Sequence, residues 1–174
     1  FGLYRTLVET TDTQARAIFE TNFFGTLRCI HAAVPVMKKQ GRGHIVICSS
    51  SISEMGLPMY GMYAATKSAQ KLITDALRAE LCDTHVAVTG VHPTGTDTEF
   101  FDHMQRENPV QRNTPRSMRQ TPEHVAHCVV KALRDRRPEV WPSRMTRWGL
   151  ALTTVSPRLR AWMLRRMYHG RTSE

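Results

Sequence analysis

Tyr63 and Lys67 stand four residues apart in Tyr63-Ala64-Ala65-Thr66-Lys67. On a helix that spacing puts both side chains on one face. An ammonium beside a phenol favours the phenolate and lowers the phenol's pKa. A phenol so tuned exchanges a proton with an alcohol or carbonyl oxygen near neutral pH. Taken alone the pair is ordinary, since a packed tyrosine and a solvated lysine satisfy the same spacing. Its surroundings narrow the reading. Ser50 lies thirteen residues upstream of Tyr63, at the end of an apolar run. His92-Pro93-Thr94-Gly95-Thr96-Asp97-Thr98 follows the next apolar run. Asn22 sits in Thr21-Asn22-Phe23-Phe24-Gly25, inside a helical pattern where asparagine is unfavourable by propensity.

The elements that must position these groups follow from periodicity. A helix is predicted from about Thr13, capped by Thr11 or Asp12, to about Lys39, stopping at Gly41 and bending at Pro35. His44 to Cys48 reads as a buried strand, Gly61 to Leu81 as a helix and Val86 to Val91 as the next strand. Strand, long helix, strand implies a right-handed crossover within a parallel sheet. Loops at Ser49 to Met62 and His92 to Thr98 then leave the carboxyl ends of adjacent strands, where such sheets present function. Tyr63, Lys67 and Ser50 are expected to converge there, with Asn22 nearby. Phe101 to Gln120 reads as a long polar loop with room for one short helix. Thr121 caps a further helix with Pro122 in its first turn. Glu139-Val140-Trp141 reads as a last strand. Two short amphipathic helices, around Arg144 to Thr153 and Pro157 to Met167, close the chain.

From Phe1 to about Thr98 this order and spacing resemble the catalytic, carboxy-terminal portion of the short-chain dehydrogenase/reductase family. The resemblance implies a catalytic tetrad of Asn22, Ser50, Tyr63 and Lys67. Tyr63 would be the acid in reduction and the base in oxidation, and Ser50 would hold the substrate oxygen. Lys67 would lower the Tyr63 pKa and hydrogen-bond the nicotinamide ribose. Asn22 would anchor a water linking Lys67 to solvent. Tyr63, Lys67, Pro93, Thr94, Thr96 and Thr98 would bind the cofactor. Two residues depart from the family pattern: Thr94 where a glycine is usual, and Ser53 where another glycine is common. A β-carbon at Thr94 could crowd the cofactor or shift the loop.

The fold so implied is α/β: a partial Rossmann-type doubly wound parallel sheet whose amino-terminal βαβαβ half is missing. Residues 1–142 would form the catalytic half, and 143–174 a basic amphipathic extension. The chain opens on Phe1 and contains no Gly-rich turn between a strand and a helix; Gly41-Arg42-Gly43 precedes a strand instead. The expectation is a fragment, inactive alone, with an exposed sheet edge. Any amino-terminal targeting signal lies outside it. The residue that selects NAD or NADP also lies in the missing half, with NADP the slight preference. In the whole protein, the helices bearing Asn22 and Tyr63 would form a homo-oligomer interface about a two-fold axis.

Composition bounds the alternatives. Hydrophobic residues make up 41% and charged residues 22% of 174 residues, values that fit a soluble globular chain. No apolar run approaches the roughly 18 residues of a membrane span. Lys and Arg total 24 against 15 Asp and Glu, a formal net charge of +9, and much of the excess follows Lys131. Trp148, Leu150, Leu152, Leu159, Trp162, Met163, Leu164 and Met167 lie among those arginines. Packing over a substrate pocket is the preferred reading, with peripheral membrane contact as an addition. A catalytically silent dinucleotide-binding relative and a basic membrane-surface protein are the competing functions. Nothing resembles a nucleic-acid recognition motif, and His124, His127 and Cys128 lack the further ligands a metal site needs. Cys29, Cys48, Cys82 and Cys128 form no C-x-x-C pair and lie in apolar stretches. They read as small hydrophobes in a reducing, cytoplasmic setting. Phe100, Phe101, Met104, Trp141, Trp148 and Trp162 would suit a bulky apolar alcohol or ketone, such as a lipid, a steroid or an aromatic alcohol.

Overall fold

The structure is a computed structural model that describes residues 1–107 and 119–172. It opens on one long helical run: α1 (Asp12–Phe19), a π-helical turn (Glu20–Phe24) and α2 (Gly25–Lys39). Thr11 caps α1 reciprocally: its hydroxyl accepts from the Gln14 N–H, and the Gln14 side-chain carbonyl accepts from the Thr11 N–H. The run stops as predicted at Gly41, whose φ of 65° is left-handed backbone that a β-carbon disfavours. The interruption is not where the sequence placed it. Pro35 lies inside α2, which continues through it. His31 and Pro35 are both exposed, so the carbonyl that the proline leaves without a donor faces solvent. The irregularity falls instead at Glu20–Phe24, around buried Asn22.

Beyond Gly41 come β1 (Gly43–Cys48), a 3-10 turn (Ser51–Glu54), α3 (Gly61–Glu80) and β2 (Val86–Val91). Then follow α4 (Phe100–Glu107), α5 (Pro122–Asp135), β3 (Glu139–Val140), α6 (Arg144–Val155) and α7 (Pro157–Thr172). The three strands form a parallel sheet in the order β1-β2-β3, with Gly43 opposite Val86 and Cys48 opposite Val91. α3 crosses between the adjacent strands β1 and β2, as the strand-helix-strand pattern predicted. β1 is an edge of the sheet among the described residues. α4 is the short helix allowed for in the predicted loop; the rest of that loop, 108–118, lies outside the described residues.

Side chains alternate across the sheet and bury both faces. Ile45, Ile47, Val86 and Val88 pack against Ile30 of α2 and Leu77 and Leu81 from α3 and its end. Val46 and Val91 face the other way, with Val140, toward Cys128, Val129 and Ala132 of α5. Helices on both faces of a parallel sheet give the layer order of a doubly wound fold. Thr121 caps α5 and Pro122 starts it, as predicted, and Arg136 ends it in the left-handed region at φ 50°.

The reading of the cysteines as small hydrophobes does not carry over to burial. Cys29, Cys48 and Cys82 are exposed and Cys128 is half-buried, all as free thiols. Apolar neighbours in sequence do not imply a shared face. On α2, Ile30 is buried while adjacent Cys29 is turned about 100° away from it.

Leu77 carries the contact between α3 and the sheet. Leu77→Ala is expected to cost about 2–5 kcal/mol of stability. Val130→Ala, on the exposed side of α5, should change it by less than about 0.5 kcal/mol. Urea denaturation of the whole protein checks both, and equal effects would mean that α3 does not pack as described.

Candidate active site

The loops leaving β1 and β2 are tied together at the strand ends. The Ser49 N–H donates to the Val91 carbonyl at 2.9 Å, and the Ser51 N–H to the Pro93 carbonyl at 2.8 Å. Three consecutive serines then take different roles. The Ser49 hydroxyl donates to the Lys67 carbonyl at 2.8 Å, and Ser51 is buried. Ser50 caps the 3-10 turn: its hydroxyl accepts from the Ile52 N–H at 3.3 Å and donates to the Pro93 carbonyl at 3.3 Å. Its side chain also acts on the Tyr63 phenol, favouring the phenolate.

Tyr63 and Lys67 share a face of α3, with the Lys67 Nζ 5.7 Å from the Tyr63 ring centroid. The ammonium donates to the Cys48 carbonyl at 3.0 Å and to the Gln70 Oε1 at 2.8 Å. Burial pushes the Tyr63 phenol well above its ordinary pKa, and the Ser50 side chain pulls the other way without offsetting it. Burial also lowers the Lys67 pKa. This differs from the sequence expectation that the ammonium would lower the phenol. Desolvation disfavours the charged form of each group, and it is the largest cause of the shift at both.

Asn22 sits behind Lys67, outside the cavity wall. Its side chain donates to the Thr66 hydroxyl at 3.1 Å and to the Phe1 carbonyl at 2.9 Å. The π turn takes the Gly25 N–H to the Glu20 carbonyl, five residues back. The Asn22 carbonyl meets side chains: it accepts from the Gln70 Nε2 at 2.7 Å and the Thr26 hydroxyl at 2.8 Å. Gln70 therefore joins the Asn22 backbone to the Lys67 ammonium. Sequence reasoning missed it. The signal was present, because Thr66, Gln70 and Thr74 recur every fourth residue and form a polar stripe on the buried face of α3.

Gln120 is the second missed residue. Its Oε1 accepts from the Thr94 N–H at 3.0 Å. Its backbone accepts from the Asp97 N–H and donates to the Gly95 carbonyl, at 3.0 and 2.9 Å. Buried Gln120 thus pins the Pro93–Thr98 loop from a segment that reads only as polar loop. This pinning fixes the backbone at Thr94, the position that departs from the family glycine.

These groups enclose a cavity of about 430 Å³. Ser50, Tyr63, Lys67, Pro93, Thr94, Thr96 and Thr98 all line it. Leu57, Phe100, Phe101 and Met167 supply apolar wall, and the Phe100 ring lies 5.5 Å from that of Tyr63. The other apolar candidates are elsewhere. Met104 is buried against Tyr4. Trp141 stacks on the buried His92 ring at 4.5 Å. Trp148 and Trp162 are exposed. The expectation that the carboxy-terminal helices cover the pocket is met at Met167 and corrected at these two tryptophans.

Residues 3–109 match the family model described as short chain dehydrogenase. Over 140 residues the chain is 32% identical to dehydrogenase/reductase SDR family member 7B of Xenopus tropicalis, covering 78% of this chain and 45% of that one. Over 163 residues it is 28% identical to retinol dehydrogenase 8 of Bos taurus, covering 80% and 52%. A short chain dehydrogenase from Burkholderia cenocepacia J2315, solved in complex with NADP, superposes with a TM-score of 0.71 at 29% identity. That match covers 98% of this chain and 67% of the other. The chain spans about half the length of the curated relatives it matches. A parallel sheet with Ser50, Tyr63 and Lys67 converging at its strand ends, and a family match over most of the chain, have one meaning: the chain belongs to the short-chain dehydrogenase family.

Proposed function

We propose that the whole protein is an NAD(P)-dependent oxidoreductase acting on an apolar alcohol or ketone. The observation that carries this reading is the convergence of the Ser50, Tyr63 and Lys67 side chains on one cavity, with Ser50 acting on the Tyr63 phenol. A substrate oxygen within about 2.6–3.2 Å of both hydroxyls would be held by Ser50 and exchange its proton with Tyr63. In reduction Tyr63 gives that proton, and in oxidation it takes it. Leu57, Phe100, Phe101 and Met167 favour an apolar substrate body.

The donors fit the nicotinamide-ribose end of a dinucleotide. Lys67 uses two of its three N–H donors on Cys48 and Gln70, and the third suits a ribose hydroxyl at the cavity. Pro93, Thr94, Thr96 and Thr98 form the adjoining wall. When bound, the nicotinamide supplies or accepts the hydride. The relative solved with NADP supports this cofactor class, and NADP keeps a slight preference over NAD. In the implied family arrangement a water at Asn22 would link Lys67 to solvent. Here the Gln70 amide joins Lys67 to the Asn22 carbonyl, and an amide holds the ammonium in place without passing a proton as water does.

In this reading 1–142 is the catalytic portion and 143–174 an extension, in a cytoplasmic protein. The outer groove between α2 and α3, lined by Leu27, Val34 and Ile73, is its two-fold homo-oligomer interface. Sedimentation equilibrium of the whole protein should give a dimer that Ile73→Glu weakens. A monomer at high concentration would remove the interface.

Tyr63→Phe should reduce turnover by at least about 10²-fold while nucleotide affinity stays near normal, because the ring still packs. Lys67→Ala should damage both. Steady-state reduction of a panel of apolar ketones, beside nucleotide titration by fluorescence, reads the two effects. Near-normal turnover in Tyr63→Phe would assign the proton to another group.

The raised phenol also sets a pH dependence. Without added nucleotide, Tyr63 should remain protonated past the ordinary phenol value of about 10. The alkaline absorbance difference between the native protein and Tyr63→Phe should therefore be flat from neutral pH up to that value. An ionisation near neutral pH in that difference would mean that the ammonium outweighs burial.

A further inference from the structure

α6 carries an apolar stripe that faces solvent. Met145, Trp148, Leu152 and Val155 are spaced three, four and three residues apart, the spacing of one helix face. Their exposures run from 63% to 84%. Leu159 and Trp162 of α7 extend the exposed apolar set past Pro157. A helix face of this kind normally turns toward a core. The charge around it is one-sided: from Val140 to Ser173 the sequence holds seven arginines and no aspartate or glutamate. The Arg166 guanidinium lies over the Trp162 ring, 5.6 Å from its centroid. Long basic side chains beside exposed tryptophan suit the headgroup boundary of a bilayer.

We propose that α6 and α7 form a docking surface for an anionic lipid bilayer, which they contact from one side. No described helix is long and apolar enough to cross one. Charge decides between occupants. A second copy of the same face would set arginine against arginine with no carboxylate in the segment to pair them. A lipid surface bearing phosphate diesters accepts both the arginines and the apolar stripe. One consequence rests on the proposed function. α7 also lends Met167 to the cavity wall, so docking would bring the cavity mouth near the lipid phase from which an apolar substrate partitions.

The test is co-sedimentation of the whole protein with vesicles of phosphatidylcholine, with and without phosphatidylglycerol, over a range of salt. The protein should sediment with the anionic vesicles and remain free with the neutral ones, and its binding should fall as salt rises. Trp148→Glu with Leu152→Glu should abolish binding while leaving turnover of a water-soluble ketone unchanged. Arg147→Gln keeps the apolar face and should weaken binding about fivefold, the effect of one arginine near an anionic surface. It tests the proposal even if the double variant unfolds α6. Equal binding to both vesicle types, undiminished binding by a folded double variant or no loss in Arg147→Gln would overturn the proposal. So would self-association through this face that excludes vesicles. Failed turnover with intact vesicle binding would count against the enzyme reading alone.

Discussion

The contact between the Asn22 carbonyl and the Gln70 amide holds the Tyr63–Lys67 face of α3 in register with the preceding helical run. A carbonyl buried without a donor costs about 1–3 kcal/mol; at the π turn the Thr26 hydroxyl of the same helical run supplies one donor, and a second comes from another element. Gln70 supplies it across 48 residues of sequence. The other polar groups on the same buried face are also satisfied. The Thr66 hydroxyl donates to the Tyr63 carbonyl, the Thr74 hydroxyl to the Gln70 carbonyl, and the Asn22 amide to Thr66. A half-satisfied network here would be worse than an apolar one. The complete one gives the Lys67 ammonium two fixed acceptors, which is what lets a charged group remain in a site that burial makes costly.

That burial has a direction. It disfavours the phenolate at Tyr63 and the ammonium at Lys67 alike. In the proposed reading, reduction of a carbonyl needs a neutral acid that keeps its proton until the substrate oxygen arrives, and a desolvated phenol would meet that need across neutral pH. Oxidation needs the opposite form. It depends on whatever positive charge approaches the phenol when the cavity is filled, because an opposite charge within several ångströms favours ionisation. The Lys67 ammonium is bonded to the Cys48 carbonyl and to Gln70, so in the proposed reading it would fix geometry at least as much as tune the phenol.

The sequence made β1, α3 and β2 legible because each has a strong period and clear stops. The tetrad residues stood out because their chemical types recur at telling intervals. What stayed hidden depended on partners distant in the chain. Pro35 looked like the helix irregularity because local propensity penalises proline, yet His31 and Pro35 are both exposed and α2 continues through the missing bond. The true irregularity at Asn22 is stabilised by Thr66 and Gln70, and no local rule sees them. Gln120 belonged to a stretch without period, and its value lies in the loop it pins. The exposure of the cysteines was hidden for a related reason: an apolar neighbourhood in sequence is shared by opposite faces of a helix.

α7 shows how two constraints can erase a period. A helix that only covered a cavity would turn polar residues outward and show one apolar stripe. α7 instead sends Met167 to the cavity wall while Leu159 and Trp162 stay in solvent. Apolar residues on more than one face, with arginines between them, suit a helix that has different neighbours on its two sides. On one side lies the cavity, whose wall Met167 shares with Leu57, Phe100 and Phe101. The neighbour on the other side must tolerate aromatic side chains and attract guanidinium groups at once. Water does only the second, and a protein core does only the first. An interface that is apolar within and anionic at its boundary does both.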